Sequence, residues 1–384
     1  MNNLKNAIKK LSVVKKLRVI KWKNIARTEL FTAEEVKVLE DMPERISEAV
    51  NHQLRHLSDE GKSKLVELEK VFWNSPISKQ PNVNVQEVKE DMLFWHFAYG
   101  FTFNEYASYQ FINKDYEERR SFLSDRDSAC LCYDLNDLEA RMILADKTKT
   151  YNNFKSYYGR DAITVFKHSD YEKFLSFIKR HERFVKKDAL ESCGRSVEMI
   201  DLARISMSPE ELFAMLISQG KLIIEELVVQ SESLRMFNSS SVNTVRCITF
   251  HTKNGVIAPF FFMKTGRAGS FVDNGSAGGL LVAIDNTTGC LGSSTDEYGN
   301  RFDSHPDSGV SFRGFQLPEW KQMVNMCCEM ASRLPEVKVI GWDMAHTNHG
   351  WVCIEGNSMT EAIGPQSTSL RGIRSEVEKL KLTL

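Results

Sequence analysis

Hydrophobic positions near the start of the chain recur at helical spacing. From Thr32 to about Trp73 they follow a 3.6-residue period, and Glu35 lies three residues after Thr32, which is typical of a capping box at a helix start. A linker at 75–84 is followed by a dense aromatic stretch at 91–111. Aromatic clusters form a core more often than a ligand site. The pattern therefore predicts α-helical hairpins that lead into an aromatic core.

The period changes after about residue 160. Runs rich in β-branched residues alternate there with helical segments, and this alternation is typical of an α/β or α+β region. The expected elements are strands in AITVFKH, RFVKK, VEMIDL, KLIIEELVV, 245–251, 256–264 and 280–285, and helices at 169–179, 209–219 and 318–333. The charged stretch 296–312 is expected to be a flexible loop, and specificity is expected to lie in loops of this kind.

The stretch VKVIGWDMAHTNHGWVCIEGN near the C-terminus predicts a β-hairpin with turn residues at 348–350. A three-residue loop would place Asp343 directly opposite Glu355, with Asn357 diagonal to Asp343 on the same face. The apolar face would then carry a separate set of side chains. That set is Trp342, Met344, Val352 and Ile354.

Two carboxylates about 5 Å apart across a strand pair repel unless a cation lies between them. The oxygen ligands of Asp343, Glu355 and Asn357 suit Mg²⁺, and Mg²⁺ held by few protein ligands usually also binds nucleotide phosphates. The alternative is a solvated hairpin face that carries scattered acids.

Composition sets bounds on the class of protein. A chain of 384 residues with 42% hydrophobic content is expected to form two or three lobes. Its net charge of −1 gives no argument for a nucleic-acid partner, and no apolar run reaches the length of a membrane span. The eight cysteines show no zinc spacing, so we expect buried thiols in a reducing cytoplasm.

Residues 1–28 hold nine Lys or Arg and no acid, with apolar residues at helical spacing. Such a basic amphipathic segment could contact an anionic membrane from its inner, cytoplasmic face. The alternative is a first helix docked on the protein.

Two further segments carry weaker signals for anion binding. Lys186 and Lys187 end a strand, and the small-residue loop that follows includes Ser192, Cys193 and Gly194, whose N–H groups could close over phosphates. This is a strand-loop-strand cradle rather than a P-loop. Downstream, Arg246 in a predicted strand and Arg267 in the glycine-rich loop 266–279 could stabilise anionic charge near a phosphate-bearing metal site, or could equally form structural ion pairs.

In chain order, these signals resemble the ATP-grasp superfamily from roughly Asp146 to the C-terminus. The segments SSSVNTVRCITF, GWDMAHTNHGWVCIEGN and GFTFNEYASYQF with SFLSD resemble the sugar-transfer-associated ATP-grasp family, which is found with bacterial surface-polysaccharide genes. The resemblance implies an α+β, ATP-grasp fold in which two lobes hold ATP between antiparallel sheets, after a helical N-terminal region. Four divisions are expected: a helical N-terminal region at 1–90, the N-terminal part of the ATP-grasp region at 91–145, a nucleotide-binding lobe at 146–228 and a catalytic, metal-binding lobe at 229–384.

The resemblance also implies roles for individual residues. Lys147 and Lys187 would contact ATP phosphates, with Lys187 preferred to Lys186, and residues 192–196 would form a mobile phosphate loop. Asp188 and Ser196 depart from the family's usual proline and second glycine there. Asp343, Glu355 and Asn357 would bind two magnesium ions. The segment with Glu225, Glu226 and Val228 would contact the adenine. Arg267 and Asn274 would face the acyl phosphate.

The expected function is that of an ATP-dependent carboxylate-amine ligase acting through an acyl phosphate, with ATP and Mg²⁺ as cofactors. It would join an amino acid or another amine to a carboxylate of a bacterial surface polysaccharide or its precursor. Transfer of the γ-phosphate needs a metal, lysines to neutralise charge and an arginine beside the later oxyanion. The alternative is a kinase, or a non-catalytic nucleotide-binding partner of a glycosyltransferase complex.

Overall fold

The computed structural model describes residues 30–190, 197–267, 269 and 278–384, and its N-terminal part is helical as predicted. The capping box is present: the Thr32 hydroxyl accepts from the Glu35 N–H at 3.2 Å, and the Glu35 carboxylate accepts from the Thr32 N–H at 2.7 Å. The helices of this part are α1 (Ala33–Asp41), α2 (Ile46–Leu57), α3 (Asp59–Asn74), α4 (Val85–Tyr99), α5 (Phe103–Ser108), α6 (Tyr116–Arg120) and α7 (Asp125–Leu135).

The aromatic stretch forms the core of this helical part, which confirms the prediction. Phe97, Phe101, Tyr106 and Phe111 are almost completely buried and belong to one cluster with apolar residues of α2, α3 and α4. Gly100 ends α4 in the left-handed region, at φ 74°, where a glycine carries no steric cost. The turn at Gly100 returns the chain across the core.

A four-stranded antiparallel sheet follows, in the strand order β1-β4-β2-β3. One hydrophobic cluster joins this sheet to helices α10 and α11, which alternate with its strands as predicted. The elements of this part are α8 (Met142–Ala145), α9 (Lys147–Tyr158), β1 (Ala162–Val165), α10 (Tyr171–Ile178), β2 (Arg183–Asp188), β3 (Glu198–Asp201), α11 (Pro209–Ser218) and β4 (Leu222–Glu226).

A second, seven-stranded antiparallel sheet has the order β11-β10-β5-β6-β7-β8-β9. Its helix α13 covers one face, and α7 and α15 share a smaller cluster with the opposite face. Helix α14 lies against β6 and β7. The elements are α12 (Glu232–Arg235), β5 (Thr244–Thr252), β6 (Gly255–Thr265), β7 (Leu280–Ile284), β8 (Leu291–Thr295), β9 (Arg301–Phe302), α13 (Trp320–Ser332), β10 (Val339–Thr347), β11 (Gly350–Asn357), α14 (Ile363–Ser369) and α15 (Arg374–Lys381).

The segment 296–312 differs from the flexible loop that its charge pattern predicts. It contains β9, and backbone hydrogen bonds close it on itself, since the N–H of Phe312 donates to the carbonyl of Asp303 at 2.9 Å. The ring of His305 is buried and lies 2.9 Å from the carbonyl of Gly266. This segment is therefore held by backbone hydrogen bonds and by the buried His305 ring, although Asp303 and Asp307 stay exposed.

Seven cysteines of the described ranges are free thiols. Within the same ranges, we find no helix with both the length and the apolar composition needed to cross a bilayer. The basic segment 1–28 lies outside the described residues.

Candidate active site

The hairpin of β10 and β11 has the predicted pairing of Asp343 with Glu355, but by a different route. The turn has two residues, 348–349, so Thr347 pairs with Gly350 rather than with Trp351. A β-bulge after Asp343 then shifts the register by one residue. The bulge restores the alignment that a three-residue loop would have given.

The bulge also changes which side chains lie on the apolar face. Cys353 pairs with Met344 and lies in the core beneath the sheet, whereas Val352 pairs with Ala345 and so belongs to the face of Asp343. Ile354 is the extra residue of the bulge and is only half-buried. The prediction that Val352 and Ile354 join Trp342 on one face is therefore wrong, because bulges leave no simple signal in the alternation.

Asp343 is buried and neutralised by two cations from neighbouring strands. Arg246 of β5 donates from Nε to Oδ1 at 2.5 Å and from Nη2 to Oδ2 at 2.9 Å, and Lys264 of β6 donates to Oδ2 at 3.0 Å. Burial alone would raise the pKa of this carboxyl, but the two positive charges outweigh burial and hold the pKa well below its usual range. Asp343 is thus ionised and already engaged by protein donors.

Glu355 and Asn357 offer the freer oxygen ligands. Both are partly exposed, and Asn357 Nδ2 donates to Glu355 Oε1 at 3.2 Å, an orientation that leaves Asn357 Oδ1 and Glu355 Oε2 outside the described hydrogen bonds. These oxygens fit a hard cation such as Mg²⁺. No group of three or more His, Cys, Asp and Glu side chains within the described ranges is arranged to hold a metal by itself. A metal here would therefore share its coordination with phosphate and water.

The four-stranded sheet contributes a second buried ion group. Lys187 donates to Glu225 Oε2 at 2.9 Å, and Arg160 donates to the same oxygen from Nε at 2.9 Å and from Nη2 at 2.7 Å. Lys186 points to the other face of the sheet, where it donates to Gln219 at 2.7 Å and pairs with Glu198. Of the two adjacent lysines, Lys187 lies with the buried charges.

Arg160 ties this sheet to the hairpin. Its Nη1 donates to the carbonyl of Cys353 at 2.6 Å, and its Nη2 lies 3.3 Å from the carbonyl of Ile354. These carbonyls belong to the bulge, where ladder pairing is interrupted. Sequence reasoning missed Arg160, because an arginine before a strand is ordinary and only the fold brings it to two sheets at once.

Lys147 lies near Glu355 and near the ion group around Glu225. It is the first residue of α9, whose N-cap Asp146 accepts from the Thr148 N–H at 3.0 Å and from Lys221 at 2.7 Å. Burial lowers the pKa of the Lys147 ammonium, the charge of Glu355 opposes that effect, and Lys187 reinforces it. The charges of Glu355 in β11 and of Lys187 in β2 both act on Lys147, and Arg160 contacts both sheets, so polar groups of the two sheets lie near one another.

The main-chain hydrogen-bonding groups at the end of β4 are occupied in the strand and open beyond it. Glu225 pairs with β1 and β2, and Glu226 pairs with β2 and donates its N–H to the carbonyl of Asp161 at 2.9 Å. Val228 lies beyond the strand and is half-buried, and no hydrogen bond among the described residues uses its peptide groups. The segment after the strand, rather than the two glutamates, has main chain available for a ligand.

Arg267 forms an ion pair, which is one of the two alternatives expected for it. Its Nε and Nη2 donate to the two carboxylate oxygens of Asp307 at 2.8 and 2.7 Å, at a partly exposed position. The structure thus pairs Arg246 with Asp343, whereas no described contact joins Arg267 to Asp343 or Glu355. Ser192, Cys193, Gly194 and Asn274 lie outside the described residues.

The buried carboxylate of Glu225 should make the stability of the protein depend on pH. Burial raises the pKa of its carboxyl, but Arg160 and Lys187 outweigh burial and lower the pKa to about 2. Because folding lowers this pKa, the contribution to stability is complete above the unfolded value near 4.5 and is lost as pH falls toward 2. The loss is at most about 3 kcal/mol.

Urea denaturation of the wild type and of Glu225→Gln between pH 6 and pH 3 measures this dependence. The variant is expected to be less stable at pH 6 and to lose less stability on acidification than the wild type. Parallel curves for the two proteins would show that Glu225 does not carry the charge in question.

Comparison with known proteins identifies the family. The family model described as sugar-transfer associated ATP-grasp matches residues 131–381. None of the curated proteins compared with the chain matches it.

Similar solved structures include the ATP-grasp ligase PsnB with a minimal precursor, at 11% identity and a TM-score of 0.39, covering 65% of this chain and 64% of PsnB. D-alanyl-alanine synthetase A from Vibrio cholerae has 11% identity, a TM-score of 0.39 and coverages of 65% and 67%. D-alanine-D-alanine ligase from Helicobacter pylori has 12% identity, a TM-score of 0.39 and coverages of 68% and 68%. The chain thus spans slightly less than two thirds of PsnB. Because the family model covers well over half of the chain, the protein belongs to the sugar-transfer associated ATP-grasp family.

Proposed function

We propose that the protein is an ATP-dependent carboxylate-amine ligase that acts through an acyl phosphate. The observation that carries the proposal is the contact between charged groups of the two antiparallel sheets: Arg160 donates to Glu225 of the first sheet and to the carbonyl of Cys353 in the second. Lys147 and Lys187 lie on the side of the first sheet, and Glu355 and Asn357 belong to β11 of the second. Positive and negative groups in one region suit a metal-nucleotide complex, since the lysines meet phosphates and the acids meet the metal.

Each side of the site has its own part in this proposal. Lys187 and Lys147 would neutralise the phosphates, and the main chain around Val228 would read the edge of the adenine. Glu355 and Asn357 would hold Mg²⁺, with Asp343 beside them. When bound, the metal would supply charge neutralisation of the β- and γ-phosphate oxygens.

Arg246 supports the second half of the reaction. Two of its nitrogens are fixed by Asp343, which leaves Nη1 outside the described hydrogen bonds and holds the guanidinium rigid on the face of the metal ligands. A preorganised cation of this kind stabilises oxyanion charge that develops when an amine attacks an acyl phosphate. Arg267 and Asn274 would act from the adjoining glycine-rich loop.

The finer proposal concerns the substrates. We infer that the carboxylate belongs to a bacterial surface polysaccharide or its precursor and that the amine is an amino acid or a related compound. The description of the family as associated with sugar transfer supports a carbohydrate acceptor. Contact of residues 1–28 with the inner face of the membrane would place the enzyme near lipid-linked glycans.

The test measures two products on one sample. Purified protein is incubated with Mg²⁺-ATP, uronic acids or acidic oligosaccharides, and a panel of amino acids, and ADP and the amide are quantified by mass spectrometry. Hydroxylamine in place of the amine should give a hydroxamate by trapping the acyl phosphate. A stable phosphorylated product without amide would establish a kinase instead. Nucleotide binding without any turnover would favour a non-catalytic partner of a glycosyltransferase.

Replacement of Lys187 by Ala tests the phosphate contact. The free energy of nucleotide binding should weaken by about 1.5 to 3 kcal/mol if one charge-assisted hydrogen bond is lost. Lys186→Ala is the matched control, because that side chain points to the opposite face of the same strand. Isothermal titration with a nonhydrolysable ATP analogue measures both variants. Loss of affinity in Lys186→Ala alone would move the role to the neighbour.

A further inference from the structure

The guanidinium of Arg160 uses every one of its hydrogen-bond donors inside the protein. Nε and Nη2 donate to Glu225 Oε2 at 2.9 and 2.7 Å. Nη1 donates to the carbonyls of Tyr158 and Cys353 at 3.2 and 2.6 Å, and Nη2 also donates to the carbonyl of Ile354 at 3.3 Å. An arginine has five N–H donors, and these contacts occupy all of them. Arg160 therefore acts through the groups that it holds and not through a ligand.

Two of these carbonyls belong to the strand that carries the proposed metal ligands. Strand β11 lies at one end of the seven-stranded sheet, and α9 packs against it. Successive carbonyls of a regular strand point to opposite edges, so two of them meet one guanidinium only where the strand is interrupted. Ile354 is the extra residue of the bulge, and Glu355 follows it directly. Arg160 thus binds the bulge at the residue before Glu355.

The bulge decides which way Glu355 faces. The hairpin starts with the pairing of Thr347 and Gly350, and continuing this register without a bulge would place Ile354 opposite Asp343. A shift of one residue turns every following side chain to the other face of a strand. The Glu355 carboxylate would then leave the face of Asp343. The alignment of these two acids therefore depends on the bulge that Arg160 holds.

Gly159 allows Arg160 to approach the strand this closely. It ends α9 in the left-handed region, at φ 55°. A Cβ built on Gly159 would lie 2.5 Å from Val352 Cγ1, so a larger residue would push the chain away from β11. The Tyr158 ring, whose centroid lies 4.4 Å from the Arg160 guanidinium carbon, supports the other side of the group.

Glu225 connects Arg160 to the proposed phosphate ligand Lys187. The same carboxylate oxygen, Oε2, accepts from Lys187 at 2.9 Å. The side chains of Arg160 and Glu225 are 3% and 4% exposed, whereas that of Lys187 is 13% exposed. Two cations share one carboxylate here, and the flexible lysine is the one that can turn to a phosphate while the arginine stays in place. The lysine and the bulge are thus joined through one oxygen atom and one guanidinium.

We propose that Arg160 is a positioning residue of the metal site, because it holds the bulge that sets Glu355 opposite Asp343. The inference rests on the proposed function and adds the residue that aligns the metal-binding strand with the sheet of Lys187. Without the guanidinium, the buried carbonyl of Cys353 loses its donor, and the strand gains hydrogen bonds by returning to a regular register. Arg160 thereby makes the effect of Mg²⁺ on nucleotide binding depend on a contact between the two sheets.

The test titrates the full chain with AMPPNP, with and without Mg²⁺, by isothermal titration at a temperature where circular dichroism shows each variant folded. Arg160→Lys keeps the charge beside Glu225, but its three donors on one atom cannot hold both the carboxylate and the bulge. Metal-free AMPPNP should bind within a few-fold of the wild type. The strengthening of binding by Mg²⁺ should fall at least about tenfold, because a charged metal ligand is displaced. Arg180→Lys, at an exposed ion pair with Asp161, is the matched control and should keep the strengthening.

A second variant displaces Arg160 without changing its charge. Gly159→Ala introduces the Cβ that would meet Val352, so the strengthening by Mg²⁺ should fall here as well. Adding Val352→Ala removes that obstacle and should restore part of the strengthening, while Val352→Ala alone should bind as the wild type does. This pair carries the test if Arg160→Lys does not fold.

The Mg²⁺ dependence separates positioning from a merely structural role. If Arg160→Lys and Gly159→Ala lower the midpoint of thermal unfolding but keep the wild-type strengthening by Mg²⁺, the positioning role is wrong and the ligase proposal stands. Equal losses of affinity with and without Mg²⁺ would confine Arg160 to the nucleotide side and overturn the inference in the same way. If the wild type does not bind Mg²⁺-AMPPNP, the proposed function fails and the positioning role fails with it.

Discussion

Replacing Glu355 by Gln is expected to abolish ATP turnover while leaving the protein folded. Glutamine keeps the shape of the side chain and can still accept from Asn357, so the hairpin loses no packing. The charge that would bind Mg²⁺ and that interacts with Lys147 is removed. Loss of one charge-stabilising group at a reacting centre costs on the order of 10²- to 10³-fold in rate, so ADP release should fall to about 1% or less.

Nucleotide binding and a control variant test this expectation. AMPPNP binding with and without Mg²⁺ should show that the metal strengthens binding to the wild type and has little effect on Glu355→Gln, and this readout requires no carboxylate substrate. Glu336→Gln, an exposed acid before β10, is the control and should behave as the wild type. Near wild-type ADP release by Glu355→Gln in the presence of Mg²⁺ would refute the metal assignment.

The elements with local signals could be predicted from the sequence. The capping box at Thr32 depends on two residues three positions apart, and the aromatic core depends on a dense run of rings, so both can be recognised within one segment. The two strands of the last hairpin also have local signals, although their turn has two residues instead of the three expected. Their prediction needed no knowledge of the rest of the fold.

The details of the site depend on contacts between distant segments. The pairing of Asp343 with Glu355 was predicted, but the bulge that produces it was not, because the sequence does not show where a ladder is interrupted. The same bulge offers its carbonyls to Arg160, a contact across 193 and 194 positions of sequence. A residue whose role is created by such distant neighbours has no pattern of its own.

The charges were predicted as isolated candidates and found as groups. Arg246 and Asp343 were assigned to separate tasks, oxyanion and metal binding, whereas the structure pairs them directly and adds Lys264. Strands β8 and β9, at one end of the seven-stranded sheet, were not predicted because short polar strands have the composition of loops. Pairing between strands decides these features, and one sequence without its fold does not specify that pairing.

The ion group around Asp343 leads to an expectation opposite to that for Glu355: Asp343→Asn should destabilise the fold as well as impair activity. The substitution removes the counter-charge that Asp343 supplies to the buried Arg246 and Lys264, and removal of one partner from a buried pair typically costs about 3 to 5 kcal/mol. Asp303→Asn is the control, because Asp303 forms an exposed ion pair with Arg313, whose loss should cost less than about 1 kcal/mol.

A double variant separates the charge effect from lost packing. The double variant Asp343→Asn with Lys264→Met also removes one of the two cations that Asp343 neutralises. Its loss of unfolding free energy should therefore be smaller than the sum of the losses in the two single variants, by about 1 to 3 kcal/mol. Urea denaturation followed by both circular dichroism and tryptophan fluorescence measures the three proteins. Additive effects would mean that Asp343 and Lys264 act independently. Wild-type stability of Asp343→Asn would mean that the carboxylate does not hold the cations, which would free Asp343 to act as a metal ligand beside Glu355.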